Sequence, residues 1–367
     1  MILLTPGPVQ TRPEVKAAMA CDVAPWDETF RPFYAGLRDR LLRIAGGIPG
    51  THAVLPLQAS GHMIVEAAIR TFVPEGGAVL APKGGEYANR LARLARDAGR
   101  RVVEMPVPDS RAIRPEELAA ALAAHPECGH VALVHSETGS GTVNDPARLG
   151  PVIAAAGRRM ILDSVSGFGA LPFDMAAHPE CDAVVFTSNK CLEGLPGFAF
   201  AVSPIARLEA CRGQAKSWSL DLGDVWENTV TNGPGSLRFT GPVQVLRALD
   251  VALGFHEAEG QAARLARYAA NARLLRDGLI ALGLRPYLAE EEQGPIIVTM
   301  HQPEGGFDLP GFVRALRGRG VTISSYFTTE APTIRIGAIG AVGEAEIRFA
   351  LAAIGDTLAE MGLRRAA

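Results

Sequence analysis

The chain has 367 residues, of which 48% are hydrophobic and 20% are charged, and its formal net charge at pH 7 is -3. This composition excludes a disordered chain and is typical of a packed globular protein with one large and one smaller domain. Acidic and basic residues are interspersed, so nothing indicates a nucleic-acid or membrane-surface partner.

The first residues and the cysteines indicate the compartment. Residues 1–8 lack a basic segment and are interrupted by Pro6, so we expect no signal peptide. No apolar run reaches the roughly 20 residues that cross a bilayer. The five cysteines are odd in number and none is paired at metal-ligand spacing, which predicts reduced thiols and no metal site. We therefore expect a cytoplasmic protein.

Residues 52–202 alternate between short apolar runs and segments with helical periodicity. The runs predict strands that are buried on both faces, and such alternation is typical of an α/β fold with a doubly wound, mostly parallel sheet. The predicted strands are Ala53–Leu57, Ala78–Ala81, Arg101–Met105, Val131–Val134, Met160–Leu162, Ala183–Phe186 and Phe198–Val202.

The pattern changes after Pro242, where two long helical segments precede a mixture of strands and helices. We predict a large domain over residues 1–242 and a small α+β domain over residues 243–367, with residues 1–20 free to pack on the small domain. The predicted elements are helices over 243–260, 262–283 and 344–361, and strands Pro295–Met300, Val321–Tyr326 and Thr333–Ile336.

Two charged residues end predicted strands of the large domain. Lys190 follows the apolar run 183–187 and precedes a loop rich in Gly and Pro, while Asp163 ends the run 159–162. A desolvated lysine is a nucleophile toward aldehydes, and an acid can keep a pyridine nitrogen protonated, so the pair suits pyridoxal phosphate (PLP). The alternatives are a solvated lysine and an aspartate that caps a turn.

Three polar turns also follow predicted strands. Ser60, Gly61 and His62 open a helix whose free N–H groups suit a phosphate, although an ordinary helix cap is the alternative. Tyr87 could cover a flat ring or lie on the surface. Thr138 lies at the carboxyl end of a strand, where ligands bind in parallel sheets, or else in a simple polar turn.

Arg335 interrupts the apolar run 333–337 of the small domain. An arginine in such a strand either faces solvent or binds an anion, and its planar fork matches a carboxylate or a phosphonate. The alternation of the strand leaves both readings open.

These motifs occur together, in one order, in a known family. The chain resembles the 2-aminoethylphosphonate–pyruvate transaminases, which belong to the class V aminotransferases with the type I fold of PLP-dependent transferases, and the resemblance covers nearly the whole chain. The motifs are Thr5-Pro6-Gly7-Pro8, Ser60-Gly61, Gly85-Glu86-Tyr87, His135-Ser136-Glu137-Thr138, Asp163-Ser164-Val165-Ser166, Ser188-Asn189-Lys190-Cys191, Ser219-Leu220-Asp221-Leu222, Arg238-Phe239-Thr240 and Arg335-Ile336-Gly337.

The resemblance implies roles for these residues. Lys190 would hold PLP and move a proton between substrate and cofactor, and Asp163 would pair with the pyridine nitrogen. The substrate's acidic group would contact Arg335 and the segment Thr5, Pro6 and Gly7. The other implied cofactor contacts are Ser60, Gly61, His62, Tyr87, Thr138, Val165, Ser188 and, from a second subunit, Thr240, so the resemblance implies a homodimer with shared active sites.

The expected reaction moves the amino group of 2-aminoethylphosphonate to pyruvate. The chain departs from the family pattern at Ala59, His62 and Ala338, and it carries Ser324-Ser325-Tyr326-Phe327 where members usually have Tyr-Pro-Gly-Lys. Three alternatives therefore stay open: another aminophosphonate as donor, alanine or serine with glyoxylate, and a PLP-dependent lyase acting on an aminophosphonate.

Overall fold

A computed structural model describes residues 1–363 of the chain. Its strands are β1 (Ile2–Leu3), β2 (His52–Leu57), β3 (Ala78–Lys83), β4 (Arg101–Pro106), β5 (Cys128–Val134), β6 (Arg159–Asp163), β7 (Cys181–Thr187), β8 (Ala199–Pro204), β9 (Ile297–His301), β10 (Val321–Thr322) and β11 (Thr333–Gly337). Its α-helices are α1 (Pro13–Ala17), α2 (Phe30–Ile44), α3 (Gly61–Phe72), α4 (Glu86–Asp97), α5 (Pro115–Ala124), α6 (Pro146–Ala155), α7 (Ile205–Ala210), α8 (Leu222–Asn232), α9 (Val243–Glu259), α10 (Gln261–Ala281), α11 (Leu309–Gly318) and α12 (Glu344–Glu360).

Seven strands form the central sheet in the order β2-β8-β7-β6-β5-β3-β4. Only β8 runs against its neighbours, because it pairs antiparallel with both β2 and β7. The predicted α/β fold with a mostly parallel sheet is therefore confirmed. Every predicted strand of this sheet is present, with bounds that differ by a few residues.

Helices cover both faces of the sheet because successive strand residues point to opposite sides. On β7, Val184 and Phe186 pack into a core with α2, α5, α6 and α9, whereas Ala183 and Val185 pack into a second core with α3, α4, α7 and α8. The sheet is thus buried on both faces, as the continuous apolar runs predicted.

The C-terminal part forms a smaller core of its own. Antiparallel β9 and β11 pack with α10, α11 and α12. The N-terminal β1 pairs in parallel with β10, so the first residues of the chain contact the small unit. The domain boundary at residue 242 stays a prediction of the sequence.

The predicted strand Val321–Tyr326 is wrong beyond Thr322. β10 is only two residues long, and β1, its partner within residues 1–363, is equally short. Residues 323–329 leave the strand and turn toward Arg335, and this irregular segment becomes part of the site described below. Within residues 1–363, no helix combines the length and the apolar character that crossing a membrane requires.

Candidate active site

A cavity of about 550 Å³ lies at the carboxyl ends of the parallel strands. Asp163 ends β6, Thr187 ends β7, and Lys190 follows three residues later. The start of α3 and the start of α4 close the other side. The sheet topology thus brings together residues that lie more than a hundred positions apart in sequence.

Lys190 lies half-buried on the cavity wall. Its Nζ donates a hydrogen bond of 3.0 Å to the carbonyl oxygen of Pro6. Burial and, to a smaller extent, the charge of Arg335 lower the pKa of Lys190 to about 8, although Cys191 and Asp163 act in the opposite direction. Gly7 has to be glycine here, since its φ is +147° and a Cβ atom would lie 2.2 Å from the lysine Nζ. The N-terminal segment therefore packs directly against the candidate nucleophile.

Asp163 forms the floor of the cavity and is 9% exposed. Its Oδ1 accepts a hydrogen bond of 2.9 Å from the backbone N–H of Val165, and no other protein donor within residues 1–363 reaches the carboxylate. Burial raises the pKa of Asp163 to about 6, although the Val165 N–H and the charge of Lys190 act in the opposite direction. Only Oδ1 of the carboxylate is thus fixed by a hydrogen bond. A positive charge placed near the side chain would stabilise its ionised form.

The first turn of α3 supplies backbone donors to the same cavity. The N–H groups of Gly61 and His62 precede the first possible intrahelical bond and have no acceptor in the described part of the chain. Ser60 Oγ lies 2.9 Å from His62 Nδ1, and both side chains are exposed to the cavity. A Cβ atom on Gly61 would lie 3.0 Å from the side chain of Val165, so a larger residue would require that side chain to shift.

Thr187 belongs to the site, although sequence reasoning missed it. Its Oγ1 is buried, lines the cavity and has no hydrogen-bond partner in residues 1–363. Ser188, which the sequence suggested instead, is fully buried, and its hydroxyl donates to the carbonyl oxygen of Leu195 at 2.5 Å. The available signal was a threonine that ends an apolar strand, since side chains of successive residues in a strand point in opposite directions.

Tyr87 lines the cavity at the start of α4, where the Glu137 carboxylate caps the first turn of the helix. Glu137 accepts hydrogen bonds from the backbone N–H groups of Tyr87 and Ala88, each at 3.2 Å, and from that of Gly139 at 3.0 Å. Burial raises the pKa of Glu137 to about 7, even though the three N–H groups favour its charged form. Sequence reasoning gave Glu137 no role, because its partners lie about fifty residues away.

The raised pKa of Glu137 predicts a pH dependence of stability in the cofactor-free protein. Below the unfolded-state pKa, Glu137 is protonated in both states; above about pH 7 it is ionised in both, and burial of the charge destabilises the fold. Relative to Glu137→Gln, the wild-type free energy of unfolding should fall by about 3 kcal/mol between about pH 4 and about pH 8. Chemical denaturation of both proteins across this range measures the difference.

The control for this prediction is Glu116→Gln, an exposed substitution in the first turn of α5. It should leave the pH dependence as it is in the wild type. A difference between wild type and Glu137→Gln that stays constant with pH would contradict the assignment.

Arg335 is only 1% exposed, so the alternative in which it faces solvent is excluded. Its Nη1 donates to the carbonyl oxygen of Thr138 at 2.9 Å, and its Nε donates to Ser324 Oγ at 3.3 Å. The guanidinium lies over the ring of Tyr326, with 5.1 Å between Cζ of Arg335 and the ring centre. No carboxylate in residues 1–363 forms an ion pair with Arg335. A buried cation without a counter-charge is costly, which indicates an anion site.

The structure brings together most, but not all, of the residues predicted from the sequence. Thr138 contacts Arg335 through its carbonyl oxygen, and Thr5 donates its hydroxyl to Pro8 within the N-terminal turn. Thr240 is exposed and does not line the cavity of its own chain. The predicted residues that line the cavity are Ser60, Gly61, His62, Tyr87, Asp163, Val165 and Lys190.

Comparison with known proteins gives matches along the whole chain. Residues 56–302 match the family described as aminotransferase class-V. The chain is 44% identical over 366 residues to 2-aminoethylphosphonate–pyruvate transaminase 2 of Burkholderia lata, covering 99% of this chain and 96% of the relative. It is 42% identical to 2-aminoethylphosphonate–pyruvate transaminase 1 of a Polaromonas species, covering 100% and 98%.

Solved structures give the same fold. Pyridoxamine–pyruvate aminotransferase of Mesorhizobium loti superposes with a TM-score of 0.90 at 28% identity, covering 99% of this chain and 93% of the other. An alanine–glyoxylate aminotransferase of a Nostoc species superposes with a TM-score of 0.88 at 25% identity, covering 97% and 95%.

Proposed function

Because the chain belongs to the class V aminotransferases, we propose that it transfers the amino group of 2-aminoethylphosphonate to pyruvate, giving phosphonoacetaldehyde and L-alanine. The named activities of the relatives from Burkholderia lata and the Polaromonas species support these two substrates. The cavity chemistry supports an amine and a keto acid that each carry an anionic group.

The residues of the cavity fit PLP. The unpartnered hydroxyl of Thr187 and the free N–H groups at the start of α3 are donors for its phosphate. Asp163 on the floor suits its ring nitrogen, and Tyr87 and Val165 are walls for its flat ring. Lys190 is the primary amine that can hold its aldehyde carbon. We therefore assign to Thr187 the cofactor contact that the resemblance implies for Ser188.

When bound, PLP supplies an electron-withdrawing ring that accepts the electron pair left when a substrate carbon loses its proton. The protein's contribution is to bind, orient and move that proton. Lys190 Nζ has a pKa close enough to neutrality to take up a proton and give it back. Asp163 would hold a negative charge toward the ring nitrogen of a bound cofactor, whose positive charge would lower the raised pKa of this carboxylate again.

The observation that carries the proposal is the buried guanidinium of Arg335, which forms no ion pair with a carboxylate in residues 1–363. Arg335 does not line the 550 Å³ cavity itself, but its charge acts on Lys190 and lowers the pKa of that lysine, which indicates that the anion-binding group lies near the amine. A substrate with an amino group near one end and an acidic group at the other spans both. The same guanidinium can bind the phosphonate of the donor and the carboxylate of pyruvate in turn.

We also propose a homodimer in which Thr240 completes the partner's site. Trp218 and Phe239 are 71% and 41% exposed and stack edge to face, with 5.1 Å between their ring centres. Thr240 is the residue after Phe239 in the sequence, and it does not line the cavity of its own chain. An exposed aromatic pair is typical of an interface. Light scattering of the purified protein tests the dimer, and a monomeric mass would contradict it.

The test of the reaction is the PLP-loaded protein mixed with 2-aminoethylphosphonate in the absence of a keto acid. We expect the visible cofactor band to disappear, and added pyruvate should restore it with one equivalent of alanine formed. Release of ammonia or phosphate would instead indicate the lyase alternative. An unchanged band with 2-aminoethylphosphonate, together with a response to alanine or serine, would contradict the proposed donor.

A further inference from the structure

The irregular segment that follows β10 surrounds Arg335 with hydroxyl groups. Ser324 Oγ lies 3.3 Å from Nε, and Thr328 Oγ1 lies 3.4 Å from Nη1. Ser324 is 6% exposed and Thr328 is half-buried, so neither side chain is freely solvated.

Arg335 has more N–H donors than the protein uses, since an arginine has five N–H groups. The Nε group donates to Ser324 Oγ, and Nη1 donates to the Thr138 carbonyl oxygen and to Thr328 Oγ1. Both N–H groups of Nη2 lack an acceptor in the part of the chain that the structure describes. Ser324 and Thr328 accept hydrogen bonds from Arg335 without donating one to the described residues, so each hydroxyl hydrogen is available to a ligand.

The carboxylate of Glu137 does not compete for these donors. Glu137 lies beside Gly139 and its carboxylate accepts the backbone N–H groups of Tyr87, Ala88 and Gly139. A ligand at Arg335 therefore meets the free Nη2 group and two hydroxyl groups, and no carboxylate of residues 1–363 is paired to the guanidinium.

A carboxylate and a phosphonate use such a set of donors differently. A carboxylate has two oxygens and accepts fewer hydrogen bonds than a phosphonate, so the free N–H groups of Nη2 meet a larger share of its needs. A phosphonate has three oxygens around a tetrahedral phosphorus, so one oxygen is left without a partner on the guanidinium. We propose that the hydroxyls of Ser324 and Thr328 bind this third oxygen and give the site its preference for a phosphonate over a carboxylate. The inference rests on the proposed function, because it explains how one site separates the two substrates.

The test measures the binding of two unreactive anions of equal chain length to the PLP-loaded protein. Ethylphosphonate and propanoate carry no amine, so calorimetry reports anion binding alone. Thr328→Val keeps the shape of the side chain and removes the hydroxyl; it should weaken ethylphosphonate binding about tenfold and propanoate binding less than about twofold. Ser324→Ala should act in the same direction, and Arg335→Lys should weaken both anions because a point charge replaces a fork.

Ser325→Ala is the matched control, since this serine is the exposed neighbour of Ser324. It should leave both dissociation constants unchanged. If Thr328→Val does not fold, Ser324→Ala carries the test alone. A merely structural role of the segment would weaken both anions equally, and this result would overturn the inference, as would a wild-type protein that binds propanoate as tightly as ethylphosphonate.

Alanine formation tests the proposed reaction, and anion binding tests the role of the two hydroxyls, so the two proposals can fail separately. Wild-type protein that prefers ethylphosphonate but makes no alanine from 2-aminoethylphosphonate and pyruvate would contradict the proposed reaction and leave the phosphonate preference standing. Wild-type protein that makes alanine, with variants that lose both anions together, would contradict only the role of the two hydroxyls.

Discussion

Replacement of Lys190 by alanine is expected to lower kcat by at least about 10⁴-fold, because it removes both the cofactor's attachment point and the group that moves the proton. The fold should be kept, since the side chain makes a single hydrogen bond, to the Pro6 carbonyl, and the change removes an amine that burial disfavours. Steady-state alanine formation measures the loss, and circular dichroism reports the fold.

The control is Lys83→Ala, which removes another lysine at a strand end, where it pairs with Glu104 at the protein surface. This variant should keep full activity. A second readout is covalent: after borohydride reduction, the wild-type chain should gain the mass of the cofactor and Lys190→Ala should not. Retained turnover in Lys190→Ala would remove Lys190 from the active site.

Replacement of Asp163 by asparagine is expected to lower kcat about 10³-fold, because the negative charge that faces the ring nitrogen is lost while the shape is kept. The asparagine Oδ1 can still accept the N–H of Val165, so the turn after β6 should stay in place. Pre-steady-state kinetics with 2-aminoethylphosphonate should show that the slow step is proton transfer and not substrate binding.

Asp145→Asn is the matched control for this substitution. Asp145 caps α6 by accepting the N–H of Ala147, also two residues ahead, but it lies on the surface outside the cavity. Its replacement should change stability slightly and leave kcat unchanged. An Asp163→Asn variant with wild-type kcat would show that the carboxylate does not act on the cofactor ring.

Local pattern was sufficient to predict most of the fold. The strands of the central sheet are continuous apolar runs, and burial on both faces requires such runs, so their positions can be predicted from sequence. Lys190 and Asp163 were found in the same way, because each is a charged residue at the end of one of these runs. The error at Val321–Tyr326 has a related origin: the run has strand propensity, but only two residues of β1 are available to pair with it.

The residues that were missed depend on distant partners. Glu137 caps a helix that begins about fifty residues earlier, and no local pattern indicates that contact. The structure separates Thr187 from Ser188 because Thr187 lines the cavity with a hydroxyl that has no partner in residues 1–363, whereas the Ser188 hydroxyl donates to a loop carbonyl.

Periodicity is a local property, so the amino-acid sequence was enough to predict which residue types can carry the chemistry and which strands present them. The burial of Arg335 became evident only in the folded chain, since the alternation of its strand allowed either face. The tertiary structure also decided which groups meet: Pro6 contacts Lys190 across 184 positions, and Thr138 contacts Arg335 across 197. Contacts at such separations follow from how the sheet, the small unit and the N-terminal segment pack together, and packing depends on the whole chain at once.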